Sequence, residues 1–271
     1  MNDSFSLDRL RVSFRAIIPM HFGKTAANTL RGAFGYALRE IATEEDFARI
    51  FAPAAVGPHP SGLADLPRPF VFRSSHLNGI TVGAGECFHF DVHVFETRRA
   101  ATAIMVAAFE RMAVKSARLE MCGHVIEPLI LSLSPGAEAV EAITVEFLTP
   151  TELKSGEEVA PEPAFPILFA RVRDRVCTLQ ALYGSGAMDI DFRAMAERAS
   201  AVRMTASDFH MRHVERRSSR TGQRHPIGGF AGSAEYEGPL TEFIPWLKTA
   251  SFTGVGRQTT WGKGEIRVTV R

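Results

Sequence analysis

Cysteine is scarce: three in 271 residues, at Cys87, Cys122 and Cys177, with no CxxC pair. That spacing excludes a disulfide framework and a zinc ribbon. Charge of one sign is equally lacking. The formal net charge is +1, so any affinity for nucleic acid must come from local patches rather than the field of the whole chain. No apolar run reaches the roughly 18 residues of a membrane span. The start, Met1-Asn2-Asp3-Ser4-Phe5, lacks the basic and then apolar pattern of a secretory signal. A cytoplasmic protein without a membrane partner is expected. With 45% hydrophobic and 23% charged residues, the composition is that of a soluble globular chain.

What the chain does have is glycine in one place. Gly254-Val255-Gly256-Arg257-Gln258-Thr259-Thr260-Trp261-Gly262-Lys263-Gly264 runs straight into the alternating segment Glu265 to Val270. Glycine lets the backbone turn sharply and approach a ligand. Successive N–H groups and nearby cations then suit an anion. Five residues separate Gly256 from Gly262, Gly264 stands where a hydroxyl is required, and a strand follows. The segment is therefore neither a nucleotide P-loop nor a dinucleotide fingerprint. It is either a phosphate-binding loop or a glycine-rich hairpin without a ligand.

Periodicity organises the rest. Leu10, Val12, Phe14, Ala16 and Ile18 alternate with Arg9, Arg11, Ser13 and Arg15, which predicts a strand with one buried face. A helix is predicted from about Lys24 to Ile41. Its apolar stripe is Leu30, Ala33, Phe34, Ala37, Leu38 and Ile41; Lys24, Asn28, Arg31, Gly32, Gly35 and Arg39 gather opposite. The two helix glycines fit either close helix packing or close approach of another backbone or RNA. Residues 51–69 read as loop. Further strands at Phe88 to Val94 and Val125 to Leu131 bracket a long helix over Arg98 to Leu119. With the run Phe70-Val71-Phe72 at the end of the loop as the second strand, the order β-α-β-β-α-β is the ferredoxin-like pattern. After a linker at 132–137 the pattern restarts. A strand at Ile143 to Phe147 precedes a helix over Ala164 to Tyr183 and an extra helix over Asp191 to Val202. Two strands flank a basic segment, a short helix spans Pro239 to Lys248, and Ile266 to Val270 closes the chain. The fold class is α+β: two tandem ferredoxin-like (RRM-like) domains, residues 1–135 and 138–271, with a C-terminal glycine-rich loop.

Arg212, Arg216, Arg217 and Arg220 make the strongest basic patch, either a phosphate-binding surface or a solvated hairpin. His89, Asp91 and His93 share a strand face. That spacing can hold a metal, but no fourth ligand is apparent nearby, and a polar outer face is the preferred reading. His21 lies just before the first helix.

Several features coincide in order along nearly the whole chain: Leu30-Arg31-Gly32-Ala33-Phe34-Gly35-Tyr36-Ala37-Leu38-Arg39, Pro67-Arg68-Pro69-Phe70, Arg216-Arg217-Ser218-Ser219-Arg220, Gly228-Gly229-Phe230-Ala231-Gly232 and the C-terminal loop. Together they resemble the CRISPR-associated RAMP endoribonucleases that process precursor crRNA, the Cas-six family. The resemblance implies metal-independent cleavage within CRISPR repeat RNA and a product crRNA that stays bound. It implies other Cas effector subunits as partners and no cofactor. Some relatives carry a cysteine cluster between the first helix and the Pro-Arg-Pro-Phe segment. This chain has none, so no zinc is expected.

Metal-free RNA cleavage needs a base for the 2′-hydroxyl, an acid for the leaving 5′ oxygen, and cations for the phosphorane. Histidine suits either proton role; lysine and arginine stabilise the charge. Placed beside the start of the first helix, His21, Lys24 and Tyr36 are the implied catalytic residues, with Arg31 and Arg39 as alternates. The RNA-binding set is Arg31, Arg39, Arg212, Arg216, Arg217, Arg220, Gly254, Gly256, Arg257, Gln258, Thr259, Thr260, Gly262 and Lys263. Two other readings stay open: a non-catalytic RAMP subunit that binds crRNA, and an unrelated α+β protein whose glycine loop is structural.

Overall fold

The computed structural model describes residues 3–53, 66–99, 101–156, 158–212, 215–217, 224–226 and 228–271. Strand β1 (Ser4–Ala16) alternates as its sequence predicts: Leu10, Val12, Phe14 and Ala16 are all fully buried. Ile18 lies past the strand end and is 42% exposed. Helix α1 (Ala26–Ile41) follows, then α2 (Glu44–Phe51). The second helix falls in a segment not predicted as helix. Thr43 caps it by accepting a hydrogen bond from the Asp46 amide at 3.1 Å, and Glu44, Glu45 and Asp46 fill its first turn, where acids meet the positive end of the dipole. Strands β2 (Phe70–Arg73) and β3 (Cys87–Val94), helix α3 (Ala101–Ser116) and strand β4 (Leu119–Ser132) complete the first unit. Helix α3 stops before Leu119 because that residue already pairs in the sheet with Ala16.

The sheet order β2-β3-β1-β4, with every neighbour antiparallel, is that of a ferredoxin-like unit. Its helices pack on one face around Phe34, whose ring centroid lies 4.9 Å from Phe109 and 5.7 Å from Phe70. Full burial of such a ring is worth roughly 1.5–3 kcal/mol.

The second unit repeats the plan. Strand β5 (Ala142–Thr151), helices α4 (Phe165–Tyr183) and α5 (Phe192–Ala199), strands β6 (Arg203–Arg212) and β7 (Gly229–Glu237), helix α6 (Ile244–Thr253) and strand β8 (Ile266–Val270) follow in sequence. The sheet order is β6-β7-β5-β8, again the ferredoxin-like arrangement. The predicted helix over 239–248 lies later: Thr241–Phe243 forms a single 3-10 turn, and α6 starts at Ile244 with Pro245 in its first turn.

The two units are joined by packing. Phe5, Leu7, Val71 and Phe95, on the far face of the first sheet, are buried in the same cluster as Phe147, Phe165 and Trp246 of the second unit. The Pro-Arg-Pro-Phe segment fastens this seam. The Tyr183 hydroxyl donates across it to the Pro67 carbonyl at 2.5 Å, while Arg68 Nε ties the segment to the Phe51 carbonyl of the first unit at 2.6 Å.

Candidate functional site

Helix α6 ends at Gly254, whose φ of 75° admits few residues but glycine. Its terminal carbonyls would face buried apolar surroundings without partners. Three side chains answer them. Arg73 Nη2 donates to the Phe252 carbonyl at 2.8 Å, His93 Nδ1 to the same oxygen at 2.9 Å, and Arg175 Nε to the Thr253 carbonyl at 2.9 Å. A carbonyl only accepts, so Nδ1 of His93 carries the proton. Burial and the adjacent Arg73 draw the His93 pKa down to about 3. Burial, then Arg73, brings Arg175 down to about 9, and burial lowers Arg73 itself. Donors from β2 and β3 thus fix the end of a helix in the other unit, and with it the start of the glycine loop.

The loop is held against the fold by its own backbone. Val255 N–H donates to Gly264 O at 2.9 Å, Arg257 N–H to Glu152 O at 3.1 Å, and Gly264 N–H to Pro150 O at 3.1 Å. Gly264 has φ 69°, and a Cβ there would lie 1.9 Å from the Val255 carbonyl oxygen. Gly262, at φ 84°, comes so close to α1 that a Cβ would sit 2.5 Å from Ala27 Cβ. Glycine is required here for closure onto the protein. The expected phosphate cradle of Gly254, Gly256, Thr259, Thr260 and Lys263 is corrected accordingly: Gly254 is buried, and at Gly256 a Cβ would meet the Glu152 carbonyl at 2.3 Å. Thr259, Thr260 and Lys263 are 4%, 8% and 2% exposed. Lys263 Nζ bonds Glu152 Oε2 at 3.2 Å and Gln258 Oε1 at 3.1 Å, while Arg257 Nη1 bonds Glu152 Oε1 at 2.7 Å. Burial opposes the Glu152 charge, yet Lys263 and Arg257 hold its pKa below the ordinary carboxylate value. Burial lowers the Lys263 pKa against the pull of Glu152. Arg257 remains exposed, and Gln258 is half-buried in the left-handed region at φ 60°.

Where the loop meets α1 a narrow cleft opens. Its walls include Lys24, Ser74, Ser75, Asn78, Trp261 and Lys263. One rim is built from two segments zipped together: His21 pairs with Thr81, Phe22 N–H donates to Ile80 O at 2.8 Å, and Gly79 N–H donates to Gly23 O at 3.1 Å. Asn78 Oδ1 caps α1 by accepting from the Ala26 amide at 2.8 Å. The exposed His21 sits at one end of this rim, with Nδ1 at 2.9 Å from Thr81 Oγ1. Lys24 is exposed on the same rim. The cleft brings Lys24 and Lys263 together across the seam of the two units.

Other predicted residues lie elsewhere. Tyr36, 63% exposed, is ten residues along α1 from Ala26, about 15 Å at 1.5 Å per residue, so it is not beside His21 and Lys24. Arg31 is corrected from a solvent-facing position. It is 6% exposed, its guanidinium 4.5 Å from the Phe51 ring centroid and 6.0 Å from that of Trp261. The reason is α2, which covers the flank of α1 that periodicity left open; Gly35 also sits there, where a Cβ would be 2.4 Å from the Phe51 ring. Arg39 is exposed and lies over Phe47, and Arg212 is exposed beside His210. Arg216 and Arg217 pair in a short ladder, Glu215–Arg217 with Arg224–Pro226; Arg220 lies outside the described residues.

The three residues His89, Asp91 and His93 do not converge. His93 is buried against Phe252, and Asp91 makes two bonds to Arg11, at 2.7 and 3.0 Å. Among the described residues no group of three or more His, Cys, Asp or Glu is placed to hold a metal ion. The sequence reading missed His76, in the 3-10 turn Ser75–Leu77 of the cleft rim, whose ring centroid lies 5.2 Å from that of His89. Nothing in its local sequence marks it, since its neighbour comes from a separate strand.

Tandem ferredoxin-like units, with a glycine loop closed onto the first helix beside a lysine-lined cleft, define a class of α+β proteins. Residues 145–266 match the family described as CRISPR-associated endoribonuclease Cas6, and residues 5–119 match one described as an N-terminal domain. Among solved structures, the chain is similar to Thermus thermophilus Cas6, at 14% identity and a TM-score of 0.60, over 98% of this chain and 99% of that one. It is similar to a Cas6 product complex at 14% identity and a TM-score of 0.62, over 97% and 100% of the two chains. It is also similar to a partial Cas6-RT-Cas1–Cas2 complex, at 10% identity and a TM-score of 0.66, over 98% of this chain and 46% of that one. At these identities the likeness is one of fold. No curated protein matches the sequence. The C-terminal part of the chain, residues 145–266, thus matches the family of CRISPR-associated Cas6 endoribonucleases.

Proposed function

We propose that the protein binds CRISPR repeat RNA and cleaves precursor crRNA without a metal ion, by attack of a 2′-hydroxyl on the adjacent phosphate. The products are a 2′,3′-cyclic phosphate and a 5′-hydroxyl, and the mature crRNA stays bound. The observation that carries this reading is the cleft joining Lys24 to Lys263 beside His21. Lys24 neutralises the phosphate and the phosphorane. His21 serves as a proton-transfer group, and Arg39, Arg212, Arg216, Arg217, Arg220 and Arg257 position RNA. The acids close to the cleft are already engaged within the protein: Glu265 accepts from Ser75 at 3.1 Å, and Glu152 is held by Lys263 and Arg257. Other Cas subunits are proposed as partners, on the model of the Cas6-RT-Cas1–Cas2 assembly that shares the fold. The location proposed is the cytoplasm; no helix among the described residues is long and apolar enough to cross a membrane. Division into domains 1–135 and 138–271 is supported by the two sheets and by the two family matches.

One observation favours a second reading, a crRNA-binding subunit without activity: Tyr36 stands far along α1 from His21. Incubation with CRISPR repeat RNA from the same genome in excess EDTA separates the two. Cleavage with cyclic phosphate ends supports the enzyme; tight binding of intact RNA supports the subunit.

A further inference from the structure

One hydroxyl in the cleft wall is not spent on the fold. Ser74 follows strand β2 and stands directly before the 3-10 turn Ser75–Leu77. A serine in that place ordinarily caps the turn with its side chain. Ser74 makes no side-chain cap; only its backbone carbonyl takes part, accepting from the Leu77 amide at 3.0 Å. Ser74 lines the cleft and is 1% exposed, and its Oγ is buried with no hydrogen-bond partner in the protein. A hydroxyl left in that state costs stability, and such groups are few in a folded protein. The polar groups beside it are engaged. Ser75 Oγ donates to Glu265 Oε1 at 3.1 Å, Asn78 Oδ1 accepts from the Ala26 amide at 2.8 Å, and Lys263 Nζ is bonded to Glu152 and Gln258. The backbone just before Ser74 is fixed, because Arg73 is tied to the Phe252 carbonyl of the other unit at 2.8 Å. Thr25 and Ala27 also line the cleft, so it opens at the N-terminal end of the 16-residue helix α1. That end carries the positive pole of the helix dipole. Lys24 and Lys263 in the same walls add two cations. A free donor, a helix N-terminus and two lysines together suit an anionic oxygen.

We propose that Ser74 orients the scissile phosphate, its hydroxyl donating to one non-bridging oxygen in this cleft. The assignment deepens, and rests on, the reading of the protein as a metal-independent ribonuclease. Ser74 transfers no proton and forms no covalent bond; it makes one hydrogen bond. As the 2′ oxygen adds to phosphorus, negative charge grows on the non-bridging oxygens, and that bond strengthens. A donor already buried in the wall needs no desolvation at that moment. Holding one non-bridging oxygen also fixes how phosphorus is turned, and so the line along which the 2′ oxygen must approach. Glu265 decides the source of the phosphate. It lines the same cleft and offsets one of the two lysines, so the cleft attracts a free phosphate ion weakly. A phosphate carried in by RNA, which the exposed arginines outside the cleft hold, overcomes that deficit.

The test joins stability to single-turnover cleavage of CRISPR repeat RNA from the same genome. Ser74→Ala removes a hydroxyl that nothing in the protein holds, so the variant should unfold at the same denaturant concentration as wild type or a higher one. Its cleavage rate at saturating RNA should nevertheless fall by about 10–100-fold, the worth of a hydrogen bond to a charged group. Repeat RNA with sulfur at one non-bridging position of the scissile phosphate gives a second reading. Sulfur accepts hydrogen bonds poorly, so wild type should cut one phosphorothioate diastereomer more slowly than the other. In Ser74→Ala the ratio of the two rates should move toward one, which a purely structural role for Ser74 would not produce. A wild-type rate in Ser74→Ala, a loss of rate that comes with a loss of stability, or an unchanged diastereomer ratio overturns the assignment while the ribonuclease reading stands. A wild-type protein that leaves the RNA intact overturns that reading and this assignment with it.

Discussion

At the scale of single residues, charge and glycine decide most. His21→Ala should lower the single-turnover rate by about 10²–10⁴ with little change in RNA affinity, because proton transfer acts in the transition state. Lys24→Ala should weaken both, since a cation serves bound phosphate and phosphorane alike; measured Kd and rate would separate the two. Gly264→Ala tests the loop. A Cβ there would lie 1.9 Å from a backbone carbonyl oxygen at φ 69°, so the loop must rebuild, and a loss of about 2 kcal/mol or more in chemical denaturation is expected. His93 supplies a pH dependence with a definite sign. Its native pKa is drawn down to about 3, below its unfolded value of about 6.5. The unfolded chain therefore binds a proton that the native one refuses, and stability falls as pH drops from about 6.5 toward 3, by up to about 1.4 kcal/mol per unit. His93→Gln, which can still donate to the Phe252 carbonyl, should flatten that slope; an unchanged slope would mean that His93 is not the group responsible.

At the scale of elements, the sequence was informative wherever one face was buried. Strand β1 and the core of α1 followed their periodicity because Leu10, Val12, Phe14, Phe34 and Leu38 all meet the same core. Periodicity failed on the second flank of α1. It placed Arg31 and Gly35 opposite the apolar stripe and left close helix packing and approach of RNA both open at the glycines; α2 covers the two residues, and nothing in α1 itself announces that neighbour. The signal for α2 was present in Thr43-Glu44-Glu45-Asp46, a capping threonine followed by acids. The glycine loop was recognised as special, with a phosphate site and a ligand-free hairpin both open as reasons; its positive φ values serve contact with Ala27, Glu152 and Val255. Lys24 with Lys263 was invisible because the pair joins segments far apart in the chain, and His76 with His89 because they come from separate elements, a 3-10 turn and a strand. The basic ladder is the element predicted to hold RNA. Alanine at Arg216, Arg217 and Arg220 should weaken repeat binding and reduce the salt slope, by about 0.7 for each phosphate of single-stranded RNA that is no longer neutralised. Unchanged affinity and slope would make the ladder a solvated hairpin.

At the scale of the whole molecule, the two units act as one frame. The first contributes His21, Lys24 and the 74–82 rim; the second contributes the glycine loop and Lys263. Both are held by a shared core around Phe5, Phe95 and Trp246 and by Arg73 and His93, which close the end of α6 from the first unit. Cleavage should therefore depend on the seam as well as the cleft. The order of strands was legible because the β-α-β-β-α-β pattern occurs twice; the docking of the units was not, because it uses the face of β1 that reads as polar over most of its length. The central claim is that this frame cuts RNA with its own side chains. The most direct measurement is cleavage of CRISPR repeat RNA from the same genome in excess EDTA, with the chemistry of both new ends determined. Full activity with a 2′,3′-cyclic phosphate and a 5′-hydroxyl is expected. Activity that returns only with Mg²⁺ or Mn²⁺, or a 5′-phosphate on the product, would contradict it.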